Sequence, residues 1–221
     1  MLFHTLVFDL DGTLYPRDNS LYDVIMTRIG AYLQRAAGLS ADDAQVLRRR
    51  YFVQYGTALR GLMSESQVDA EEFLHMVHDI DIQAYLGPDP ALAALLRGLP
   101  QRKLIFTNAS REHAGRVLET LGVADCFESI LDVRAMDFRP KPDPLAYQIL
   151  ARHLSPPFAE VLYLDDEPRN LPPAADLGLT TALVNPTTLS PDPRIHHIPD
   201  LFHLDTLLNH SLPLPHGGAI H

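Results

Sequence analysis

The first apolar run, Phe3 to Asp9, is short, partly β-branched and closed by Gly12. That pattern predicts a strand buried on both faces. The period then changes. Leu21, Val24, Ile25, Ile29, Tyr32 and Leu33 fall on one helical face. Ser40 with Asp43 has the form of a capping box, and Ala44, Leu47, Tyr51 and Tyr55 follow at helical spacing. Gly56 and Gly61 interrupt the pattern, and Asp69 with Glu72 can cap a further helix carrying Phe73, Leu74 and Val77. Residues 16–84 contain no convincing strand.

Beyond Gly87-Pro88 strands and helices alternate. The pattern predicts a helix over 91–96, a strand over 103–107 and a helix over 111–121 closed by Gly122. Residues 129–133 read as a strand. Asp143 and Pro144 read as the N-cap and first-turn proline of a helix reaching His153. A strand over 161–165, a helix over 168–177 and a last strand over 180–184 complete the series. Such alternation implies an α/β fold: a Rossmann-like parallel sheet with helices on both faces. Its core is expected over 1–15 and 85–208. A small all-helical cap is inserted after the first strand, over 16–84. Residues 209–221, ending LPHGGAIH, are expected to form a disordered tail.

Composition narrows the function. A chain of 221 residues with 46% hydrophobic and 21% charged residues is an ordinary globule. Its formal net charge of −10 argues against a binder of nucleic-acid polymers or membrane surfaces. The single cysteine, Cys126, excludes an internal disulfide and fits a reducing cytoplasm. No apolar run of about 18 residues is present, and Asp9 interrupts the N-terminal apolar stretch, which reads as a mature cytosolic start. Six of 11 histidines lie at positions 196, 197, 203, 210, 216 and 221. Their spacing fits no zinc site, and they read as solvated.

Four polar clusters then stand out at strand ends. Asp9 and Asp11 lie on the same side of the first strand, because side chains alternate. Two close carboxylates are tolerable with a cation between them or a proton on one. Taken alone, they also suit a strand-terminal turn with an Asp cap. Thr107 and Asn108 end the next strand and offer donors to a phosphate, or form a capping pair. Lys141 is pinned between two prolines, which deny it a helix; it is a fixed counter-charge or a solvated lysine. Asp165 and Asp166 follow an apolar strand and offer the hard oxygen ligands that suit Mg2+. In a parallel sheet these ends form one edge, where ligands bind, so the clusters can converge.

At these residues the sequence resembles the haloacid dehalogenase-like hydrolase superfamily. The motifs occur in the same order: DLDGT at 9–13, Thr107, Lys141, and the Asp165-Asp166 pair. The stretches FTNAS, RPKPDP, YLDDEPRN and YGTALRGL resemble the pyrimidine 5'-nucleotidase branch. The resemblance implies a magnesium-dependent phosphatase working through an aspartyl-phosphate. Asp9 would be the nucleophile and a metal ligand. Asp11 would be the general acid and base, with its backbone carbonyl on the metal. Thr107 would hold phosphate oxygens, Lys141 would balance charge, Asp166 would bind the metal directly and Asp165 would stand behind it. Asn108 would position phosphate or Asp9. The partner implied is a small phosphorylated metabolite, a nucleoside 5'-monophosphate with a pyrimidine preferred.

The cap must choose the substrate. Arg60 is the one basic residue of its glycine-flanked stretch. Either it reaches the site, or Gly56 and Gly61 simply end helices and Arg60 is solvated. Tyr15 lines the pocket or only packs. Rival readings remain: a phosphatase or phosphomutase for phosphoglycolate or a sugar phosphate, and a phosphate-binding regulatory pseudoenzyme. Carbon–halogen hydrolysis is disfavoured, because it needs no metal-binding acids. The sequence does not give the oligomeric state.

Overall fold

The computed structural model describes residues 3–186 and 189–208. The first apolar run forms β1 (Thr5–Phe8), buried at every position. Two short strands follow, β2 (Asp11–Gly12) and β3 (Tyr15–Pro16), paired parallel with Asp11 opposite Tyr15. This small ribbon lies just where a purely helical insertion was expected to begin.

Four helices come next: α1 (Ser20–Ala37), α2 (Ala41–Tyr55), α3 (Ala58–Glu65) and α4 (Ala70–His78). Their ends obey the capping signals. Ser40 accepts from the Asp43 amide, and Asp69 accepts from the amides of Glu71 and Glu72. α1 packs on α2 and α4, and α2 packs on α3. Tyr32 meets Phe73 edge to face at 4.9 Å between ring centroids. Gly56 ends α2 at φ 90, a conformation that favours glycine. Gly61 does not end a helix. It lies inside α3, hard against the Tyr51 ring, where a Cβ would come within 2.2 Å.

The rest of the chain alternates as expected: α5 (Pro90–Gly98), β4 (Arg102–Phe106), α6 (Arg111–Leu121), β5 (Ser129–Leu131), α7 (Pro144–Ala151) and β6 (Val161–Asp165). The helix expected over 168–177 divides into a 3-10 turn, Pro168–Asn170, and α8 (Leu171–Asp176). Proline at 168, 172 and 173 removes the amide donors a longer helix would use. β7 (Thr180–Val184) is not the last strand. β8 (Ile195–Ile198) pairs parallel with it, and α9 (Asp205–Leu208) follows. In β8 Ile195 and Ile198 are buried, while His196 is half-buried and His197 exposed. His197 accepts from the Ser190 amide and His203 bonds Asp200, so these histidines have local structural partners. The expected tail at 209–221 lies outside the described residues.

The six main strands run in the order β5-β4-β1-β6-β7-β8, every neighbouring pair parallel. β1 and β6 are buried along their whole length, as expected of central strands covered on both faces. The chain crosses β1 between β5 and β6, so the sheet's switch point falls beside β1. No helix among the described residues is long and apolar enough to cross a membrane.

Candidate active site

The carboxyl ends of β4, β1 and β6 are neighbours, and three of the four clusters leave from them. Asp9 follows β1, Thr107 follows β4, and Asp165 ends β6. Lys141 arrives from the loop before α7 and is buried, 1% exposed. Its Nζ donates to Asp9 Oδ1, to Asp165 Oδ2 and to the Phe106 carbonyl, each at 2.7 Å. Asn108 holds this lysine in place. Its Oδ1 accepts from the Lys141 amide at 2.8 Å and its Nδ2 donates to the Lys141 carbonyl at 3.1 Å. Asn108 thus fixes the lysine loop through one donated and one accepted bond, and it also lines the cavity over Asp9.

Asp165 is fully buried and fully engaged. Besides Lys141 it accepts from the Tyr163 hydroxyl, the Glu167 amide at 2.8 Å and Asn170 Nδ2. Asp166 accepts from Arg17 Nε at 2.6 Å. Oxygens of Asp9, Asp165 and Asp166 all lie within 4.8 Å of one another. Burial pushes the Asp9 carboxyl well above the usual range. Lys141 opposes that rise, and Asp165 and Asp166 add to it. Burial and Asp165 push Asp166 up to about 7 against the pull of Arg17. Carboxylates crowded this closely, with oxygen donors only, fit a hard divalent cation. Gly12 is part of this arrangement. Its φ is 93, and a Cβ there would come within 2.1 Å of Asp166 Oδ2.

The two oxygens of Asp9 differ. Lys141 holds Oδ1, while Oδ2 receives, among the described residues, only a long 3.4 Å hydrogen bond from Thr13. Asp11 faces a different set of groups. Its Oδ1 meets the Tyr15 hydroxyl at 2.5 Å and His113 Nε2 at 2.9 Å. Burial alone would raise the Asp11 carboxyl. The His113 imidazole and the hydrogen bonds of His113 and Tyr15 outweigh it and hold Asp11 below the usual range. Burial and Asp11 push Tyr15 upward, so it stays a donor. Thr107 is 1% exposed, and its Oγ1 accepts from the Ala109 amide.

Asp9, Asp11, Thr107, Asn108, Lys141 and Asp166 floor a cavity of about 340 Å³ beneath the inserted helices. Its far wall is largely apolar, with Ile25, Met26, Ile29, Phe73, Leu74 and Val77. Arg48 of α2 also faces it, and so does the Phe52 ring, with the Arg169 guanidinium 3.4 Å from its centroid. Arg169 donates to the Phe52 and Gly56 carbonyls, tying the end of α2 to the loop after β6. Arg60 does not reach this cavity. Ala58, Leu59 and Leu62 are the buried face of α3, and Arg60 turns to a second cavity beside Pro142 and Asp143.

Sequence reasoning missed Arg17, Arg48, Phe52, His78 and His113, and left the Tyr15 hydroxyl unassigned. For His113 a signal existed. It sits in the first turn of α6, directly after the Thr107 cluster, and helix N-termini in such sheets face the same edge. For the cap residues no such positional rule applied.

Residues 3–178 match the haloacid dehalogenase-like hydrolase family. The chain is 30% identical over 188 residues to Phosphate metabolism protein 8 of Saccharomyces cerevisiae, covering 78% of this chain and 58% of that protein. The chain therefore spans little more than half the length of that relative. Its fold is similar to a HAD phosphatase from Thermococcus onnurineus, with a TM-score of 0.64, 18% identity and coverage of 94% and 98%. It is also similar to L-2-haloacid dehalogenase from Xanthobacter autotrophicus, with a TM-score of 0.60, 19% identity and coverage of 96% and 100%. At these identities the structural likeness is one of fold. The sequence match over most of the chain goes further: the protein belongs to the haloacid dehalogenase-like hydrolases.

Proposed function

We propose that the chain is a magnesium-dependent phosphomonoester hydrolase of the cytoplasm that works through an aspartyl-phosphate on Asp9. The observation that carries this reading is the buried Lys141 between Asp9 and Asp165, with Asp166 alongside. An anionic nucleophile can approach a phosphoryl group only where cations offset their repulsion.

Asp9 Oδ2 attacks phosphorus while Lys141 holds Oδ1. As the ester P–O bond breaks, Asp11 delivers a proton to the leaving oxygen. Asp11 is anionic in the free chain, and a phosphoryl dianion beside it raises its proton affinity. Water then attacks the aspartyl-phosphate, Asp11 takes its proton, and phosphate leaves with Asp9 restored. Thr107 holds phosphate oxygens. Asp9, the Asp11 backbone carbonyl and Asp166 would hold magnesium, which supplies electrostatic stabilisation of the transferring group. Asp165 stands behind them, orienting Lys141. Fold likeness extends to a haloacid dehalogenase and does not choose between the chemistries; Asp11 and Asp166 supply the proton relay and metal ligand that favour phosphoryl transfer.

The lining of the cavity supports a substrate class. An apolar wall and the Phe52 ring suit an aromatic base, and Arg48 offers donors to its carbonyls. This supports nucleoside 5'-monophosphates, pyrimidines first, over phosphoglycolate or a sugar phosphate. Phosphate release from UMP, CMP, AMP, phosphoglycolate and glucose 6-phosphate, with and without chelator, tests both claims. Full activity in excess chelator would remove magnesium. A sugar phosphate favoured tenfold in kcat/KM, about 1.4 kcal/mol, would overturn the substrate.

A further inference from the structure

His113 is wholly buried, yet one of its ring nitrogens, Nδ1, has no hydrogen-bond partner among the described residues. Leaving a buried polar atom unpaired costs free energy, and a leucine in the first turn of α6 would avoid that cost. The other nitrogen explains the residue. Nε2 lies 2.9 Å from Asp11 Oδ1, the same oxygen that the Tyr15 hydroxyl approaches at 2.5 Å. Asp11 Oδ2 has neither contact. The two donors therefore fix one oxygen and turn the other toward the cavity that Asp11 lines.

The imidazole is itself held. His78, at the end of α4, stacks on it at 4.5 Å between centroids and 22° between planes. His78 Nδ1 lies 3.1 Å from Ser110 Oγ, and Ser110 is the N-cap of α6. The Arg116 guanidinium donates to the His78 backbone carbonyl. A ring clamped on its face resists tilting, which helps keep Nε2 on Asp11 Oδ1.

We propose that His113 is a positioning residue, which with Tyr15 orients Asp11 for proton delivery to the leaving oxygen. The inference rests on the phosphatase reading above and adds a division of labour to it. Asp9 and Lys141 serve attack on phosphorus, whereas His113 and Tyr15 serve departure of the leaving group.

Leaving-group dependence tests this, because a merely structural role would lower all rates alike. kcat/KM is measured for 4-nitrophenyl, phenyl and benzyl phosphate with wild type, His113→Ala, His113→Gln and Tyr15→Phe. The stable nitrophenolate needs little proton help and benzyl alkoxide needs much. His113→Ala is expected to lose about threefold or less on nitrophenyl phosphate and about 100-fold on benzyl phosphate. Glutamine can place an amide N–H near the position of Nε2, so His113→Gln should recover at least about tenfold of the benzyl loss. Tyr15→Phe keeps the ring and should show the same selectivity to a smaller degree, which serves if His113→Ala does not fold. Equal losses across the three esters in the folded variants would overturn the inference and leave the phosphatase reading intact. A wild-type protein that hydrolyses none of the esters would overturn both.

Discussion

The strand-end floor of the cavity and its helical roof are built on opposite rules. On the floor charge is buried and pinned: Lys141 makes three hydrogen bonds at 2.7 Å, and Asp165 has no free oxygen. On the roof the lining is mostly apolar, and its charged groups are half-buried on long side chains. Arg48 lies in such a position, hydrogen-bonded among the described residues to Gln45 of its own helix and to Met26 Sδ of α1. Fixed charge suits stabilisation of a transition state, since no reorganisation is needed when charge moves. An apolar wall with a loosely held guanidinium suits recognition of a planar group, where small adjustments are tolerated. The floor should therefore fail abruptly on substitution, and the roof gradually.

The sharpest break is at the nucleophile. Asp9→Asn is expected to lower turnover by about 10,000-fold or more, because a carboxamide cannot form the phosphoenzyme. Mass spectrometry of acid-quenched protein should find the phosphate adduct in wild type and not in the variant. Wild-type turnover in Asp9→Asn would remove the floor from the chemistry.

Lys141→Met tests whether the floor's charges are also interdependent for stability. Removing the cation leaves Asp9 and Asp165 buried side by side, so about 3–5 kcal/mol of unfolding free energy should be lost. Urea denaturation in chelator measures it. A loss under about 1 kcal/mol would mean that the carboxylates relax without the lysine.

How much of this could be read from sequence follows the same division. Strand alternation fixes which side chains share the sheet edge, so Asp9, Thr107, Lys141 and Asp165 were legible as a group. The roof was not, because its helices carry apolar residues for two surfaces. Leu21 and Leu33 pack into the core while Met26 and Ile29 line the cavity, and one periodic stripe does not tell them apart. β8 was missed because IHHI carries two histidines and pairs only at the sheet's edge. His113 and Tyr15 meet Asp11 through a fold that joins positions 102 and four residues away; the place of His113 in the first turn of α6 was a sequence cue, whereas nothing in the sequence assigned the Tyr15 hydroxyl.

Where floor and roof touch, pH is the probe. Burial and the His113 imidazole push His78 down to about 3, with Arg116 and Arg134 acting the same way and Asp11 opposing. The unfolded chain regains an ordinary value near 6.5. Below that pH the unfolded state binds a proton that the native state refuses. Stability from this group is present above about 6.5 and falls toward pH 3, by about 1 kcal/mol per pH unit. The stability difference between wild type and His78→Gln should therefore shift toward the variant as pH falls from 6.5 to about 4.5. A difference independent of pH would mean that His78 is protonated or exposed in the native protein.

The smallest effects belong to the roof, and they come as a pair of arginines. Arg48 lines the main cavity, and Arg60 lines the second one beside Pro142. Both are half-buried arginines within the helical insertion, so lost charge and lost side-chain bulk are similar in the two alanine variants. Arg48→Ala should raise KM for UMP by about tenfold, roughly 1.4 kcal/mol, and leave KM for 4-nitrophenyl phosphate unchanged. Arg60→Ala should alter neither by more than about twofold, roughly 0.4 kcal/mol. The control is internal: a general loosening of the insertion would raise KM in both variants. If Arg60→Ala moved KM for UMP tenfold and Arg48→Ala did not, the substrate would lie on the other side of α3, and the apolar wall would not be its binding surface.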